Sequence, residues 1–215
     1  MIDRIGVLPL HYMPPISVFR SLCRYRTLDF QLDRPFGKMS FRNRCIIADA
    51  QGMHTLSIPI RGGRGFRGAY RDAMIDDRQP WNIHHWRAIC TAYGRAPWFE
   101  YLAPGLQSLY LSPPARLADW NLQCLQFMFR HSGLPIPDII QETKHDPSME
   151  APVQARNEAW PAPQDFQDLR FGPFPAYVQV FQEKIAFSPN LSMLDFVLCA
   201  GPRMVREWLA EHEHD

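Results

Sequence analysis

The amino-acid sequence predicts a mixed α/β fold, with one sheet of mixed strand directions flanked by helices and an α+β arrangement as the alternative. Strand-like and helix-like segments alternate along the chain, and several helix-like segments carry apolar residues at helical spacing. Proline accounts for 20 of the 215 residues, against an average near 5%, which favours many fixed turns and few long helices. Because this length suits one large domain, we expect a single domain over residues 1–215.

The first half of the chain is expected to form short strands and one helix. The apolar run at residues 5–10 predicts a buried strand, and Pro14 and Pro15 impose an extended loop after it. Apolar spacing predicts a helix over 16–23, which Pro15 is suited to open. Further strands are predicted at residues 27–32, 40–48, 54–60 and 73–76, with a hairpin between the second and third.

The second half is expected to be mainly helical. The clearest helices are predicted over 81–93 and 114–131, where apolar residues recur every three or four positions. Residues 144–175 form a proline-rich segment that we expect to be irregular. The other predicted elements are a helix at 97–110 broken at Pro104, a strand at 177–181, a helix at 193–200 broken at Gly201, and a last helix after it.

Several classes of protein are excluded by the sequence pattern. No stretch approaches 18 uncharged apolar residues and the N-terminus lacks a signal-peptide pattern, so we expect a cytoplasmic protein without a membrane span. The five cysteines are far apart and none has CxxC spacing, which predicts reduced, buried thiols. We therefore expect no metal site, and no sequence pattern indicates a cofactor.

The formal net charge of +1 hides an uneven distribution. Residues 20–78 contain twelve basic and six acidic side chains, a net +6, whereas residues 141–215 contain six basic and twelve acidic side chains, a net −6. The two parts either neutralise each other in the folded protein or leave the first part with a site for an anionic ligand. The balanced total argues against a dedicated nucleic-acid binder.

Arg42, Asn43 and Arg44 are the most informative candidates for binding. If they lie on a strand, Arg42 and Arg44 share one face and Asn43 lies on the other. Two guanidinium groups about 7 Å apart suit a diphosphate or a carboxylate, which they can hold through bidentate hydrogen bonds. The alternative is that both arginines pair with the acidic C-terminal part.

Arg64 and Arg67 lie in the loop 61–71, which contains four arginines and four glycines. Glycine lets backbone N–H groups approach an anion closely, and arginine supplies the charge. The loop is predicted to be a mobile lid over a phosphate, a solvated basic loop or an RNA contact. The pattern of a Walker phosphate loop is absent.

His85 and His11 are the candidate catalytic residues. His85 lies near the start of the predicted helix 81–93, at the flank of its apolar stripe, where we expect it to be half-buried. A histidine there is suited to deprotonate a sugar amine or hydroxyl before acyl attack, and the helix N-terminus favours its neutral form. His11 follows the first strand, where open α/β sheets bind ligands. The alternatives are a structural histidine at His85 and a plain turn residue at His11.

Four further residues are candidates for substrate contacts. Tyr12, Trp81 and Tyr93 supply either a platform on which a sugar stacks or ordinary core packing. Asn190 precedes Ser192-x-x-Asp195, a variant of the helix capping box in which each residue would bond the backbone at the other. The cap is the structural explanation for this segment, and substrate binding by Asn190 is the functional one.

Six short motifs stand along the chain, at residues 12–16, 40–45, 56–60, 81–101, 177–181 and 190–195. Taken in this order, they resemble the WbqC-like protein family. Each motif is weak by itself, but six in family order make the resemblance specific, and it extends from about residue 6 to about residue 209. The first loop departs from other branches of the family, since it reads Pro9-Leu10-His11 where they carry Gln-Pro.

The resemblance implies a part in bacterial surface-polysaccharide biosynthesis of the O-antigen type. It also implies a transferase that moves an acyl or aminoacyl group onto a nucleotide- or lipid-linked sugar. Under this hypothesis Arg42 and Arg44 hold a phosphate, Asn43 orients the acceptor and His85 is the base. The rivals are a non-catalytic ligand-binding or scaffold subunit of a polysaccharide assembly system, and RNA binding through the loop 61–71. The expected partner is an anionic small molecule or sugar phosphate.

Overall fold

The structure is a computed structural model that describes residues 2–37, 40–140 and 161–212, with the side chains of residues 2–4 left out. Its helices and strands form a mixed α/β arrangement, which confirms the predicted fold class. The first part of the predicted proline-rich segment, up to residue 160, lies outside the described residues.

Three parallel strands form the first sheet: β1 (Ile2–Val7), β2 (Tyr25–Asp29) and β5 (Asp138–Ile140), in the order β1-β2-β5. The helix α1 (Ile16–Cys23) joins β1 to β2 as a crossover, which parallel neighbours require. Its bounds are those that the apolar spacing predicts, and its inward face is fully buried. The strand β5 was not predicted from the sequence.

An antiparallel hairpin forms the second sheet, from β3 (Arg44–Asp49) and β4 (Gly52–Ser57). The hairpin was predicted, but the single mixed sheet was wrong, since the two sheets stay separate in the described parts of the chain. Both faces of β3 are covered: Cys45 and Ile47 pack into the main core, whereas Ile46 and Ala48 pack into a smaller cluster with Phe166. At the edge of β3 away from β4, the Ile46 carbonyl accepts from Ser192 N–H at 2.9 Å, so the segment before the last helix occupies a position that another strand would need.

In the described part of the chain five α-helices follow the hairpin: α2 (Trp81–Tyr93), α3 (Phe99–Leu111), α4 (Leu117–His131), α5 (Gln182–Ile185) and α6 (Met193–Glu211). The predicted bounds of α2 are confirmed, whereas α3 continues through Pro104 instead of ending there. The predicted break near Gly201 is a kink within α6, where φ is +81°. A side chain there would clash, because a Cβ on Gly201 would lie 2.1 Å from Nε1 of Trp98.

Two predicted strands are wrong. Residues 73–76 make only isolated bridges, from Ile75 to Ile60 and from Met74 to Arg116. Residues 177–181 form no strand, although Tyr177 and Gln179 are buried while Val178 is exposed, as in an extended chain. The alternating pattern therefore predicts the extended backbone correctly and says nothing about whether a partner strand is present.

The loop after β1 runs through the interior, and it positions the candidate site. Loops usually lie at the surface because their backbone groups need partners. Here the partners come from distant residues: Tyr12 N–H donates to the Phe41 carbonyl at 2.8 Å, and Ser192 Oγ donates to the Met13 carbonyl at 2.9 Å. The loop is thereby fixed at the carboxyl edge of the parallel sheet.

Candidate functional site

His11 and Tyr12 are consecutive residues whose side chains enter two different clusters. The ring of His11 lies 5.9 Å from that of Phe41, beside Arg42. The ring of Tyr12 instead packs on His85 and Trp120, at 5.8 and 6.3 Å. The extended loop between the prolines and β1 thus contributes one side chain to each cluster.

The first cluster, called here the Arg42 cluster, consists of His11, Arg42, Tyr70 and Asn121. The guanidinium of Arg42 lies over the Tyr70 ring, 5.0 Å from its centroid, and donates to the Pro35 carbonyl at 2.7 Å. Asn121 Nδ2 donates to the Arg42 carbonyl at 2.6 Å and to the Tyr70 hydroxyl at 2.5 Å. These contacts fix both the backbone and the side chain of Arg42.

Arg42 has no acidic partner in the part of the chain that the structure describes. Its guanidinium is half-buried, and burial lowers the pKa of Arg42. The positive charge of Arg34 lowers this pKa too, and Tyr70 opposes the effect. Arginine nevertheless stays charged in proteins. The cluster therefore holds a partly desolvated positive charge near a second one, without a carboxylate to balance them.

Two buried polar atoms in the same cluster have no hydrogen-bond partner among the described residues: His11 Nδ1 and Asn121 Oδ1. Burial, together with the positive charge of Arg42, lowers the pKa of His11 to about 3. His11 is therefore neutral at physiological pH. Buried polar atoms in native proteins are usually hydrogen-bonded, so these two atoms are exceptions in the described chain.

The second cluster, called here the aromatic cluster, surrounds His85 with Tyr12, Trp81, Tyr110 and Trp120. The Tyr12 hydroxyl lies 3.0 Å from His85 Nδ1 and 2.6 Å from the Tyr110 hydroxyl. The ring of His85 packs edge-on to Trp81 at 5.2 Å, and Trp81 packs edge-on to Trp120 at 5.4 Å. Trp81 and Tyr12 are thus buried core residues in this structure, as well as candidates for substrate contact.

His85 is more deeply buried than the sequence predicts, with only 6% of its surface exposed instead of half. Burial lowers the pKa of His85 to about 4, and a backbone hydrogen bond with Ser57 partly opposes this. The ring is therefore neutral near pH 7. Its Nδ1 is already engaged with Tyr12, in contrast to Nδ1 of His11.

The predicted pair of arginines on one strand face is wrong, because β3 begins only at Arg44. Arg42 and Asn43 lie in the turn before β3, where the alternation of strand side chains does not apply. Asn43 Nδ2 donates to the Ile58 carbonyl at 2.8 Å, and Ile58 N–H donates back to the Asn43 carbonyl at 2.8 Å. Asn43 therefore extends the hairpin by one reciprocal pair.

The suggestion that the two charged parts of the chain neutralise each other stays a prediction, because half of the acidic side chains of residues 141–215 lie outside the described residues. Among the described residues, basic side chains of the first part pair locally, as in Arg61 with Asp77 and Arg71 with Asp33. The side chain of Arg44 makes neither a hydrogen bond nor an ion pair with the residues described.

The loop 61–71 is attached beside the Arg42 cluster. Its last residues pair with the segment that carries Arg34, since Phe36 N–H donates to the Gly68 carbonyl at 3.1 Å and Tyr70 N–H donates to the Arg34 carbonyl at 2.9 Å. Arg67 folds back and donates to the Arg64 carbonyl at 2.8 Å. Arg64 itself is exposed. The roles as lid, solvated loop or RNA contact stay predictions.

A third cluster, called here the Asp195 cluster, gathers the C-terminal motif residues. Asp195 Oδ2 accepts from the Tyr177 hydroxyl at 2.5 Å and from Gln179 Nε2 at 3.0 Å. Tyr93 is buried beside them, and burial followed by the Asp195 carboxyl raises the pKa of Tyr93 well above its usual value. Burial also raises the pKa of Asp195 itself.

The predicted capping box at Ser192 is half right. Ser192 Oγ accepts from Leu194 N–H at 3.2 Å and so caps α6. Asp195 does not return a bond to the Ser192 backbone, whose N–H donates to the Ile46 carbonyl. Asn190 Oδ1 accepts from Ser17 N–H at 2.8 Å, in the first turn of α1, and its Nδ2 donates to Phe166. Substrate contact by Asn190 stays a prediction.

Comparison with known proteins identifies the family of this chain. The sequence model described as the WbqC-like protein family matches residues 11–156. The chain belongs to the WbqC-like protein family. The matched range contains the whole Arg42 cluster and the whole aromatic cluster, and it begins at His11. Asp195 and Tyr177 of the Asp195 cluster lie beyond the matched range, whereas the motifs predicted a resemblance up to about residue 209.

One relative among the curated proteins is similar to part of this WbqC-like chain. It is the uncharacterized protein Rv1507c of Mycobacterium tuberculosis (strain ATCC 25618 / H37Rv), 26% identical over 108 residues. The alignment covers 50% of this chain and 46% of that relative, so it spans about half the length of each. No solved structure shows a significant match.

Sequence reasoning about this WbqC-like protein missed Arg34, Tyr70 and Asn121. For Asn121 a signal was present, because it stands four residues after Leu117 and three before Cys124, on the apolar stripe of α4. A polar residue on such a stripe is expected to bond another buried group. Arg34 and Tyr70 carried no such signal, since only the folded chain brings them to Arg42.

None of the helices in the described part of the chain is long and apolar enough to cross a membrane. The described residues also contain no group of three or more histidine, cysteine, aspartate or glutamate side chains arranged to hold a metal ion.

Proposed function

We propose that this WbqC-like protein is a transferase that moves an acyl or aminoacyl group onto a nucleotide- or lipid-linked sugar in surface-polysaccharide biosynthesis. In this proposal the Arg42 cluster binds the phosphate or carboxylate of the substrate. One observation carries the proposal: the half-buried Arg42 guanidinium has no acidic partner among the described residues, and Arg34 lies near it.

The energetics support an anionic ligand at this place. A partly desolvated charge without a partner is costly, and a second positive charge close by adds to the cost. A bound phosphate or carboxylate removes both costs and accepts bidentate hydrogen bonds from the guanidinium. The Tyr70 ring and the Pro35 carbonyl already hold Arg42 in place, so little side-chain freedom is lost on binding.

His11 is better placed than His85 to serve as the base at this site. In acyl transfer, the acceptor amine or hydroxyl attacks the carbonyl carbon of the donor, its proton passes to a base, and the donor's leaving group departs. His11 Nδ1 lacks a partner and lies beside Arg42, whereas His85 Nδ1 is bonded to Tyr12. A pKa of about 3 makes His11 a weak base in the unliganded protein, and a bound anion would raise that pKa.

The binding part of the proposal is tested by calorimetric titration with UDP, UDP-glucose and inorganic pyrophosphate. We expect wild type to bind at least one of these probes and Arg42→Gln to bind it at least tenfold more weakly. Arg42→Lys should lie between, because lysine cannot form the bidentate pair. The matched control is Arg87→Gln, an exposed arginine on α2. Equal affinities for wild type and Arg42→Gln would sink the proposed site.

The catalytic part is tested by turnover with sugar nucleotides as acceptors and acyl or aminoacyl thioesters as donors. We expect product with wild type and a loss of at least a hundredfold in rate with His11→Asn, while the affinity for the probe falls far less. His85→Asn should lower stability more than rate, because its ring is part of the aromatic cluster.

The second candidate is a non-catalytic ligand-binding subunit of a polysaccharide assembly system. The burial of both histidines favours it, since His11 is 5% exposed and His85 6% exposed. Binding that depends on Arg42, together with the absence of turnover for every donor and unchanged biological function in both histidine variants, would establish this alternative.

A further inference from the structure

A cleft lies at the edge of the parallel sheet opposite to the Arg42 cluster. It has a volume of about 190 Å³ and is lined by the end of α1, the start of β2, the end of α4 and the end of α6. Tyr25 in this cleft begins β2, whereas His11 follows the carboxyl end of β1. Because the two strands are parallel, these residues lie at opposite edges.

The wall of the cleft is apolar and its rim is basic. Tyr25, Phe129 and Leu209 contribute to the wall, and three arginines, Arg20, Arg24 and Arg206, contribute to the rim. No acidic side chain of the described residues lines it. We call this the arginine-rimmed cleft.

The three rim arginines differ in their contacts. Arg20 donates to the Gly172 carbonyl at 2.9 Å and lies over the Trp208 ring, so it is held at the rim. Arg206 packs closely against Gly133 and leaves no room for a side chain there. Arg24 Nε is buried and has no hydrogen-bond partner among the described residues.

Two of the rim arginines, Arg24 and Arg206, make no ion pair with the described residues. The helices α1, α4 and α6 all end near the cleft, and each C-terminus carries a partial charge of about −0.5, which offsets part of the arginine charge. An anionic head group at the rim can pair with Arg24 and Arg206.

We propose that the arginine-rimmed cleft binds a small amphipathic anion, a carboxylate or phosphate with a compact ring or short alkyl chain. The apolar wall takes the body of the ligand, and an apolar cavity of about 150 Å³ is already large enough for a benzene ring. Arg24 and Arg206 bind the head group through charge-assisted hydrogen bonds. This site is independent of the proposed function at Arg42.

The test is calorimetric titration of the full chain with hexanoate and with phenyl phosphate, which distinguish the two head groups. The controls are 1-hexanol, which has no charge, and hexylamine, which has the opposite charge. We expect one or both anions to bind with submillimolar affinity and both controls to bind at least tenfold more weakly. The tighter anion identifies the head group.

Three variants locate the site. We expect Arg24→Gln and Arg206→Gln each to weaken binding at least fivefold, and Ala210→Trp, at an exposed position that lines the cleft, to abolish it by filling the space. Arg87→Gln should bind hexanoate or phenyl phosphate like wild type. Arg206 and Ala210 are exposed, so these variants are expected to fold.

Three results would overturn the proposal: no binding of either anion at millimolar concentration, equally tight binding of 1-hexanol, or unchanged binding in both Arg206→Gln and Ala210→Trp. Loss of anion binding in Arg42→Gln would also overturn it, because the ligand would then occupy the other site. Failure of the UDP probes to bind at Arg42 leaves these outcomes unaffected.

Discussion

The Arg42 cluster and the Asp195 cluster both bury an ionisable side chain, but the two side chains differ in their partners. Asp195 is fully enclosed, and its carboxylate accepts hydrogen bonds from Tyr177 and Gln179. Arg42 is half-buried without an acidic partner in the described chain, and His11 Nδ1 beside it bonds nothing. A buried polar group that is satisfied stabilises a fold, whereas one that is left unsatisfied offers a place for a ligand.

The largest expected effect is on stability, at Asp195. Asp195→Ala removes the acceptor of the buried Tyr177 hydroxyl and one of the acceptors of Gln179 Nε2, which keeps its bond to the Ser188 carbonyl. A buried donor left without a partner costs about 1–3 kcal/mol, and the lost bond to Gln179 adds to this. We expect the free energy of unfolding to fall by about 2–4 kcal/mol in urea denaturation. The control Glu207→Ala, in an exposed helical ion pair with Arg203, should leave the urea midpoint near that of wild type. A wild-type midpoint for Asp195→Ala would contradict the structural role.

The next effect is expected at Asn190, which joins the start of α1 to the segment before α6. Asn190→Ala leaves the Ser17 N–H and the Phe166 carbonyl without their side-chain partner, at a cost of about 2–3 kcal/mol. If Asn190 is purely structural, the variant binds the UDP probes as wild type does at a temperature where it is folded. A loss of affinity without a loss of stability would instead support the predicted substrate contact.

The two buried histidines make stability depend on pH. Their pKa values in the folded protein, about 3 for His11 and about 4 for His85, lie below the ordinary value near 6.5, so the unfolded chain binds protons first as the pH falls. Stability is full above about pH 6.5 and is lost toward pH 4, with a limiting slope of about 1.4 kcal/mol per pH unit for each histidine. Urea denaturation from pH 7.5 to 5 measures this.

The double variant His11→Asn/His85→Asn isolates that contribution, because its carboxylates titrate as in wild type. We expect its stability to vary with pH over this range much less than that of wild type. An equally steep fall in the double variant would show that other groups cause the pH dependence.

The smallest expected effect shows which arginine, Arg34 or Arg44, supplies the second positive charge of the site. Arg34 lies near enough to lower the pKa of Arg42, whereas Arg44 is not among the groups that shift this pKa. We expect Arg34→Gln to weaken binding of pyrophosphate about threefold and Arg44→Gln to weaken it less. The reverse order would favour the predicted pair of Arg42 and Arg44.

The sequence predicts most of the helices and less of the site, for a physical reason. The bounds of α1 and α2 follow from apolar spacing, because burial of one helix face is a local property of the chain. The extended segment at Tyr177 has the alternating pattern of a strand, which is also a local property. It nevertheless packs on α6 instead of pairing with another strand, and nothing local decides that choice. The resemblance of motifs predicted the family correctly.

The Arg42 cluster shows where local reasoning fails. Its members come from the loop after β1, the turn before β3, a short turn at Tyr70 and the helix α4, so their proximity depends on the whole fold. The predicted strand face shared by Arg42 and Arg44 is wrong, since β3 begins only at Arg44, and the binding role of Arg42 stays a prediction. The predicted roles of Arg64, Arg67, Trp81 and the other candidate residues await binding experiments.

One measurement tests the central claim most directly: titration of wild type, Arg42→Gln and Asp195→Asn with pyrophosphate and UDP-glucose, with the urea midpoint of each variant measured in the same buffer. We expect Arg42→Gln to lose at least tenfold in affinity while its midpoint changes little. We expect Asp195→Asn to keep wild-type affinity while its midpoint falls. If Arg42→Gln binds both probes like wild type, or if Asp195→Asn loses affinity at full stability, the assignment of binding to one cluster and of stability to the other is wrong.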